Sequence, residues 1–91
     1  MYTIIFTHTY KKDIKLCRKK NLPEDELNKV ITILSNGKEL PAKYRDHALK
    51  GNYKGFRECH IRPNWLLVYL KDKEKLILTL IRTGSHSDLF E

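Results

Sequence analysis

Three strand-like runs in the second half of the chain, residues 55–61, 65–70 and 76–82, constrain the fold more than any other feature. Only Arg62-Pro63-Asn64 and a charged stretch over 71–75 separate them. Connections that short have no room for the crossover that parallel strands require, so consecutive strands pair antiparallel. Pro63 supplies the fixed φ of a turn. The last run contains neither Gly nor Pro. The pattern predicts an antiparallel meander.

The first half has a different period. Residues 2–6 are short, apolar and β-branched, which predicts a first strand. Thr7 or Thr9 then offers a helix cap. Tyr10, Ile14 and Cys17 fall at i, i+4 and i+7 on one helical face. Pro23 suits the opening turn of a second helix, whose acids Glu24, Asp25 and Glu26 suit its N-terminus. Leu27, Val30, Ile31 and Leu34 form its apolar stripe, and Asn36-Gly37 ends it. Residues 38–54 read as a long loop, of a length that is often functional. The predicted fold is α+β. A twisted, mainly antiparallel sheet of about four strands carries two N-terminal helices on one face, in the order β-α-α-β-β-β. At 91 residues the chain reads as one domain, 1–91.

Strand alternation sorts the side chains of the first meander strand. Glu58 and His60 share one face, and Cys59 and Ile61 share the other. One face is apolar and the other carries groups able to move protons. His47 in the long loop, Arg82 at a strand end and His86 in the tail are candidates to join them. Histidines and a carboxylate beside an arginine suit acid–base cleavage of a phosphodiester. One group takes the 2′-hydroxyl proton, a cation balances charge on phosphorus, and another group protonates the leaving 5′-oxygen. No metal or cofactor is needed if RNA supplies its own nucleophile.

Charge narrows the partners. Eighteen Lys and Arg against eleven acids give a formal charge of +7, which favours polyanions: RNA, DNA or an acidic protein. A bare solubility charge is the competing reading. Lys11, Lys12, Lys15 and Arg18 surround the first helix, where they serve either as a solvated face or as phosphate contacts. No apolar run reaches membrane-spanning length, no signal peptide is evident, and no membrane partner is expected, so the cytoplasm is the default location. Cys17 and Cys59 lack zinc-site spacing and read as free, partly buried thiols.

The literal string is more specific than the pattern. Leu40-Pro41-Ala42-Lys43-Tyr44-Arg45-Asp46-His47, Leu49-Lys50-Gly51, Lys54-Gly55-Phe56-Arg57, His60, Pro63, Trp65, Arg82-Thr83-Gly84-Ser85-His86 and Leu89-Phe90 resemble the YafQ family of bacterial toxins, within the RelE superfamily of ribosome-dependent mRNA interferases. The motifs cover 40–90; the N-terminal half matches only in layout. The resemblance implies a toxin that cleaves mRNA in the ribosomal A site against 16S and 23S rRNA. It also implies an acidic antitoxin that wraps the toxin, with operator DNA reached only through that antitoxin.

Carried over by motif, His47 and His60 resemble acid–base histidines, and Glu58 the family's acidic residue. Arg82 resembles the phosphate-stabilising arginine, and His86 the general acid. Phe90 resembles a terminal aromatic that stacks on a base. Asn64, Trp65, Lys54 and Arg57 join the basic helix residues as RNA contacts, although Trp65 also reads as core. Tyr44 and Tyr53 read as packing that anchors the loop. Asn64 departs from the family pattern, which has Asp after the Pro. An amide accepts no proton at neutral pH, so a base role falls to His60 or His47. Two other readings compete: a superfamily relative that binds a protein target in the manner of ParE-type toxins, and an RNA-binding module without chemistry. Neither needs this histidine set.

Overall fold

The computed structural model describes residues 1–90. Strand β1 (Thr3–Phe6) leads into helices α1 (His8–Lys19) and α2 (Glu24–Ser35). Two single 3₁₀ turns, Ala42–Tyr44 and Gly51–Tyr53, flank a two-residue strand β2 (His47–Ala48). The meander follows as β3 (Arg57–Arg62), β4 (Trp65–Asp72) and β5 (Ile77–Gly84), and helix α3 (His86–Phe90) follows β5. The sheet order is β1-β5-β4-β3-β2; β1 runs parallel to β5 and the other pairs are antiparallel. The α+β class and the meander agree with expectation. Five strands replace the expected four, because residues 38–54 are not all loop: His47 and Ala48 pair with Glu58 and Arg57. The tail, too, carries a helix.

Helix α1 starts where the sequence offers a cap. Thr7 Oγ1 accepts the Tyr10 N–H at 2.9 Å and donates its own proton to the Ile81 carbonyl at 2.8 Å. One hydroxyl thus caps the helix and ties its start to β5. Helix α2 has no side-chain cap, and Pro23 occupies its N-cap position. Its first-turn acids are spoken for: Glu24 pairs with Arg18 and Glu26 with Arg62.

Both helices pack on one face of the sheet. Tyr10, Ile14 and Cys17 of α1 and Leu27, Val30, Ile31 and Leu34 of α2 meet Cys59, Ile61, Trp65, Leu67, Tyr69, Leu78 and Leu80. Each large side chain removed from water there contributes roughly 1.5–3 kcal/mol. The opposite face has a smaller core of Leu66, Val68 and Leu89, flanked by Leu49, Phe56 and Ile81. Strand β4 is therefore covered on both sides, and residues 65–69 are all buried, which explains why Trp65-Leu66-Leu67-Val68-Tyr69 shows no alternation. A register shift opposite Val68 and Tyr69 leaves Ile81 without a directly opposed residue. Such a bulge re-aims its neighbours, and here Ile81 packs into the smaller core while Arg82 follows it.

Candidate active site

Cross-strand register sets His47, Glu58, Val68 and Arg82 in one row over β2, β3, β4 and β5. His60 lies two residues from Glu58 on the same face, as alternation requires. Glu58 is only 4% exposed. Its Oε1 lies 3.4 Å from His47 Nε2 and 3.8 Å from His60 Nε2. A carboxylate shielded from water needs such partners, because burying a charge alone is costly. Glu58 does not pair with Arg57 or a lysine.

The far nitrogens of the two rings define their tautomers. His47 Nδ1 lies 2.8 Å from the Arg45 carbonyl, and His60 Nδ1 a long 3.4 Å from the Pro63 carbonyl. A carbonyl only accepts, so each Nδ1 carries a proton and each Nε2 of a neutral ring presents a lone pair toward Glu58. A ring that gains a second proton then donates it toward the carboxylate.

His86 approaches from the other side. Its ring centroid lies 6.0 Å from that of His60, and the His47 and His60 rings are 6.2 Å apart. Beyond it Phe90 stands 6.2 Å from His86 and meets Tyr53 edge to face at 5.3 Å. Five rings thus run across the face: His47, His60, His86, Phe90, Tyr53. Tyr53 is 40% exposed and belongs to this row, so it is not packing that anchors the loop. Tyr44 is buried, as expected.

The short helix that presents His86 is built by a reciprocal cap. Ser85 N–H donates to Asp88 Oδ2 and Asp88 N–H to Ser85 Oγ, both at 3.1 Å. Lys20 of α1 reaches the same carboxylate at 3.2 Å. Gly84, at φ +158°, is needed beneath it, because a Cβ there would lie 3.1–3.2 Å from the Asp88 side chain. Asn64 Oδ1 accepts the His86 N–H at 3.3 Å. Its amide joins the Pro63 turn to α3. The Ser85 N–H, then Lys20 and the Ser85 hydroxyl, hold the Asp88 carboxyl below its ordinary range.

Other expected residues lie elsewhere. Arg82 shares the row, but its guanidinium grips Asp13 of α1 through Nε at 2.8 Å and Nη2 at 3.1 Å, with the Asp88 carbonyl 3.5 Å from Nη2. Strand β4 separates it from Glu58, so the two are not on adjacent strands. Arg57 is corrected: it has the parity of Cys59, faces the helices and pairs with Asp46 at 3.0 Å. Asp46 also accepts the Tyr69 hydroxyl; burial, then this bond, raises that hydroxyl far above its ordinary value. Trp65 is corrected as well. It is 1% exposed, and its Nε1–H donates to Thr83 Oγ1 at 3.0 Å within the core, so it offers no surface to RNA. Lys11, Lys12 and Lys15 are exposed on α1, and Arg18 there is paired with Glu24. Their helix packs on the sheet face away from the histidines. Lys54 is exposed beside Tyr53. Both thiols are buried, and burial raises them, so neither is a nucleophile.

Asp46 and Asp13 went unnoticed in the sequence. Asp46 fixes the loop between Arg45 and His47. Asp13 fixes Arg82 and accepts the Thr83 N–H at 3.1 Å, on the β5 edge that β1 is too short to cover. An acid placed on the flank of a lysine-rich helix, as Asp13 is, was the available signal.

Comparison with known proteins agrees with this geometry. A family model described as "Bacterial toxin of type II toxin-antitoxin system, YafQ" matches residues 2–91. The "mRNA interferase toxin YafQ" of Escherichia coli K12 is 42% identical over 89 residues, covering 96% of this chain and 94% of that one. YafQ in a crystal structure of the E. coli DinJ–YafQ complex superposes with a TM-score of 0.90 at 35% identity, covering 100% of both chains. A metal-bound toxin from Helicobacter pylori superposes with a TM-score of 0.92 at 44% identity, covering 99% of this chain and 100% of that chain. Full-length matches at this identity, on a face that gathers His47, Glu58, His60 and His86, establish that the chain belongs to the YafQ family of bacterial type II toxin–antitoxin toxins.

Proposed function

We propose that this toxin cuts mRNA in the ribosomal A site by acid–base chemistry on the ring-lined face. The chain is an endoribonuclease of the mRNA interferase kind, and an antitoxin is its partner. The observation that carries the mechanistic reading is the convergence of two imidazole Nε2 atoms on one buried carboxylate, with a third imidazole alongside. His47 or His60 takes the 2′-hydroxyl proton at Nε2, and Glu58 stabilises the imidazolium that results. The 2′-oxygen attacks phosphorus and the P–O5′ bond breaks. His86 protonates the departing 5′-oxygen. Arg82, held by Asp13 through Nε and Nη2, turns the N–H groups of Nη1 toward the phosphoryl oxygens. Phe90 and Tyr53 stack on a base, a sequence-tolerant grip worth roughly 1–3 kcal/mol. Asn64 takes no proton and serves by holding the His86 backbone.

The antitoxin in this reading is acidic, and the exposed lysines of α1 are contacts for rRNA or for that antitoxin. Primer-extension mapping of mRNA 5′ ends after induction tests the reading. New ends at A-site codons are expected with the wild type and absent with His86→Ala. Unchanged ends would overturn it.

A second reading concerns metal. His47, Glu58 and His60 each offer one ligand atom, and these lie within 4.8 Å of one another. The set fits: both imidazoles donate Nδ1–H to carbonyls, an arrangement common behind metal-bound histidine. A bound transition metal would supply Lewis acidity there. It would also occupy the Nε2 lone pairs that the acid–base reading needs. Metal is therefore proposed as a brake. Cleavage should persist in EDTA and fall on addition of copper or zinc; activity that requires the ion would reverse the assignment.

A further inference from the structure

A cleft of about 480 Å³ opens beside His60, between α2 and the end of β3. Lys29, Lys43, Arg45 and Arg62 line it, with Tyr44 and His60. Arg62 is balanced by Glu26 at 2.6 Å. Lys29, Lys43 and Arg45 have no acidic partner among the described residues, so the wall holds uncompensated positive charge. The loop is rigidly placed. Arg45 sits at φ +51°, a left-handed conformation that a residue with a Cβ rarely adopts. Asp46, immediately after it, is anchored on Arg57 and Tyr69. The residue that brings a guanidinium to the cleft therefore also offers its carbonyl to His47 at 2.8 Å. His60 is shared between cleft and candidate active site, so a strand crossing the histidines enters the cleft without leaving the surface.

We propose that this cleft is a phosphate subsite for the substrate strand, holding the backbone on the 5′ side of the cleaved bond. This rests on the nuclease reading above, which also sets the direction. If His86 protonates the leaving 5′-oxygen, the nucleotide 3′ of the break lies toward Phe90 and Tyr53. The nucleotide carrying the 2′-hydroxyl then lies toward His47 and His60, and the chain before it runs between Lys43, Arg45 and Lys29. Flexible ammonium groups and a guanidinium suit a phosphodiester track that carries no base information.

The test uses the full chain and RNA oligonucleotides blocked at the scissile step by one 2′-O-methyl group. One is minimal, one extended by a few nucleotides at the 5′ end, and one extended likewise at the 3′ end. Fluorescence anisotropy over a salt series reads the affinity. The wild type should gain affinity from the 5′ extension, with a steeper salt slope. Lys29→Glu with Lys43→Glu should erase that gain and lower the slope by about 2, one for each cation removed. It should leave the gain from the 3′ extension in place. Lys73→Glu with Lys75→Glu, an equal charge change in the β4–β5 turn, should keep both gains. A 5′ gain that survives the cleft variant overturns the proposal. So does a cleft variant that loses antitoxin binding but not the 5′ gain, which would give the surface to the protein partner. A cleft variant that weakens ribosome pelleting while the 5′ gain stays intact would assign it to rRNA instead. If the wild type cuts no mRNA and binds none of the oligonucleotides, the nuclease reading falls and the cleft with it. If it cuts mRNA yet gains nothing from the 5′ extension, only the cleft assignment falls.

Discussion

His86 is exposed at the start of α3 and its side chain supports nothing in either core. Replacing it with Ala should change stability by no more than about 0.5 kcal/mol, as at other surface sites. Loss of a general acid costs typically 10²–10⁴-fold. We therefore expect a urea midpoint near that of the wild type, ribosome binding that persists, and cleavage lowered by that factor. Asn64→Asp should act in the other direction. A carboxylate still accepts the His86 N–H and adds a proton acceptor at the turn. Cleavage measured on the same ribosomes should be equal or higher; its abolition would mean that the amide is itself a working part of the site. Parity explains what could be read at this scale. Glu58 and His60 had to share a face, and they do. The same alternation assigns Arg57 to the face of Cys59, and naming it as an RNA contact disregarded that. Trp65 likewise belongs with Leu67 and Tyr69. The proximity of His86 to His60 lay beyond local pattern, since residues 26 positions apart meet only through β4 and β5.

Elements of three or more turns or of six or more residues were legible, because apolar spacing repeats often enough within them to be recognised. Helices α1 and α2 and the three meander strands are of this kind. Strand β2 and helix α3 are too short to show a period, and both are created by tertiary bonds. Strand β2 exists because His47 and Ala48 find partners on β3 while Asp46 is gripped from behind. Asp46→Ala should strand the Arg57 guanidinium and the Tyr69 hydroxyl, costing roughly 1–3 kcal/mol. It should also loosen His47, so cleavage should fall by more than binding does. Denaturation and a kcat-against-KM comparison measure the two effects. Helix α3 depends on its cap, which gives it a pH dependence. Asp88 has a lowered native pKa. It binds fewer protons folded than unfolded in acid, so its contribution is complete above the unfolded value of about 3.9. That contribution drains as pH falls through the lower native value. Amide exchange should show α3 losing protection in this acid range before the sheet does, with Asp88→Asn removing the dependence.

At the scale of the molecule, positive charge is distributed over both sides of the sheet. The lysines of α1 lie on the helix side, and the cleft and Lys54 lie around the ring-lined side. With a formal charge of +7, association with ribosomes should weaken steeply with salt, because each phosphate neutralised releases counterions. Filter binding at low and moderate ionic strength checks this; flat binding would remove the electrostatic part of the account. The parallel pairing of β1 with β5 was the part of the topology that local pattern left open. An edge strand before two helices can join either side of a meander. The choice is made by Thr7, whose hydroxyl spans 74 residues to the Ile81 carbonyl, and by a register that sets Thr3 opposite Ile77. That pairing has a consequence for synthesis. The first strand cannot take its place until β5 has been made, so a growing chain has β1 waiting and α1 without the strand it packs on. Closing so long a loop is an entropic cost paid before the contact rewards it, and mixed folds of this kind form more slowly than helical bundles. A toxin wired in this way is unfinished, and so harmless, for almost the whole time it takes to translate.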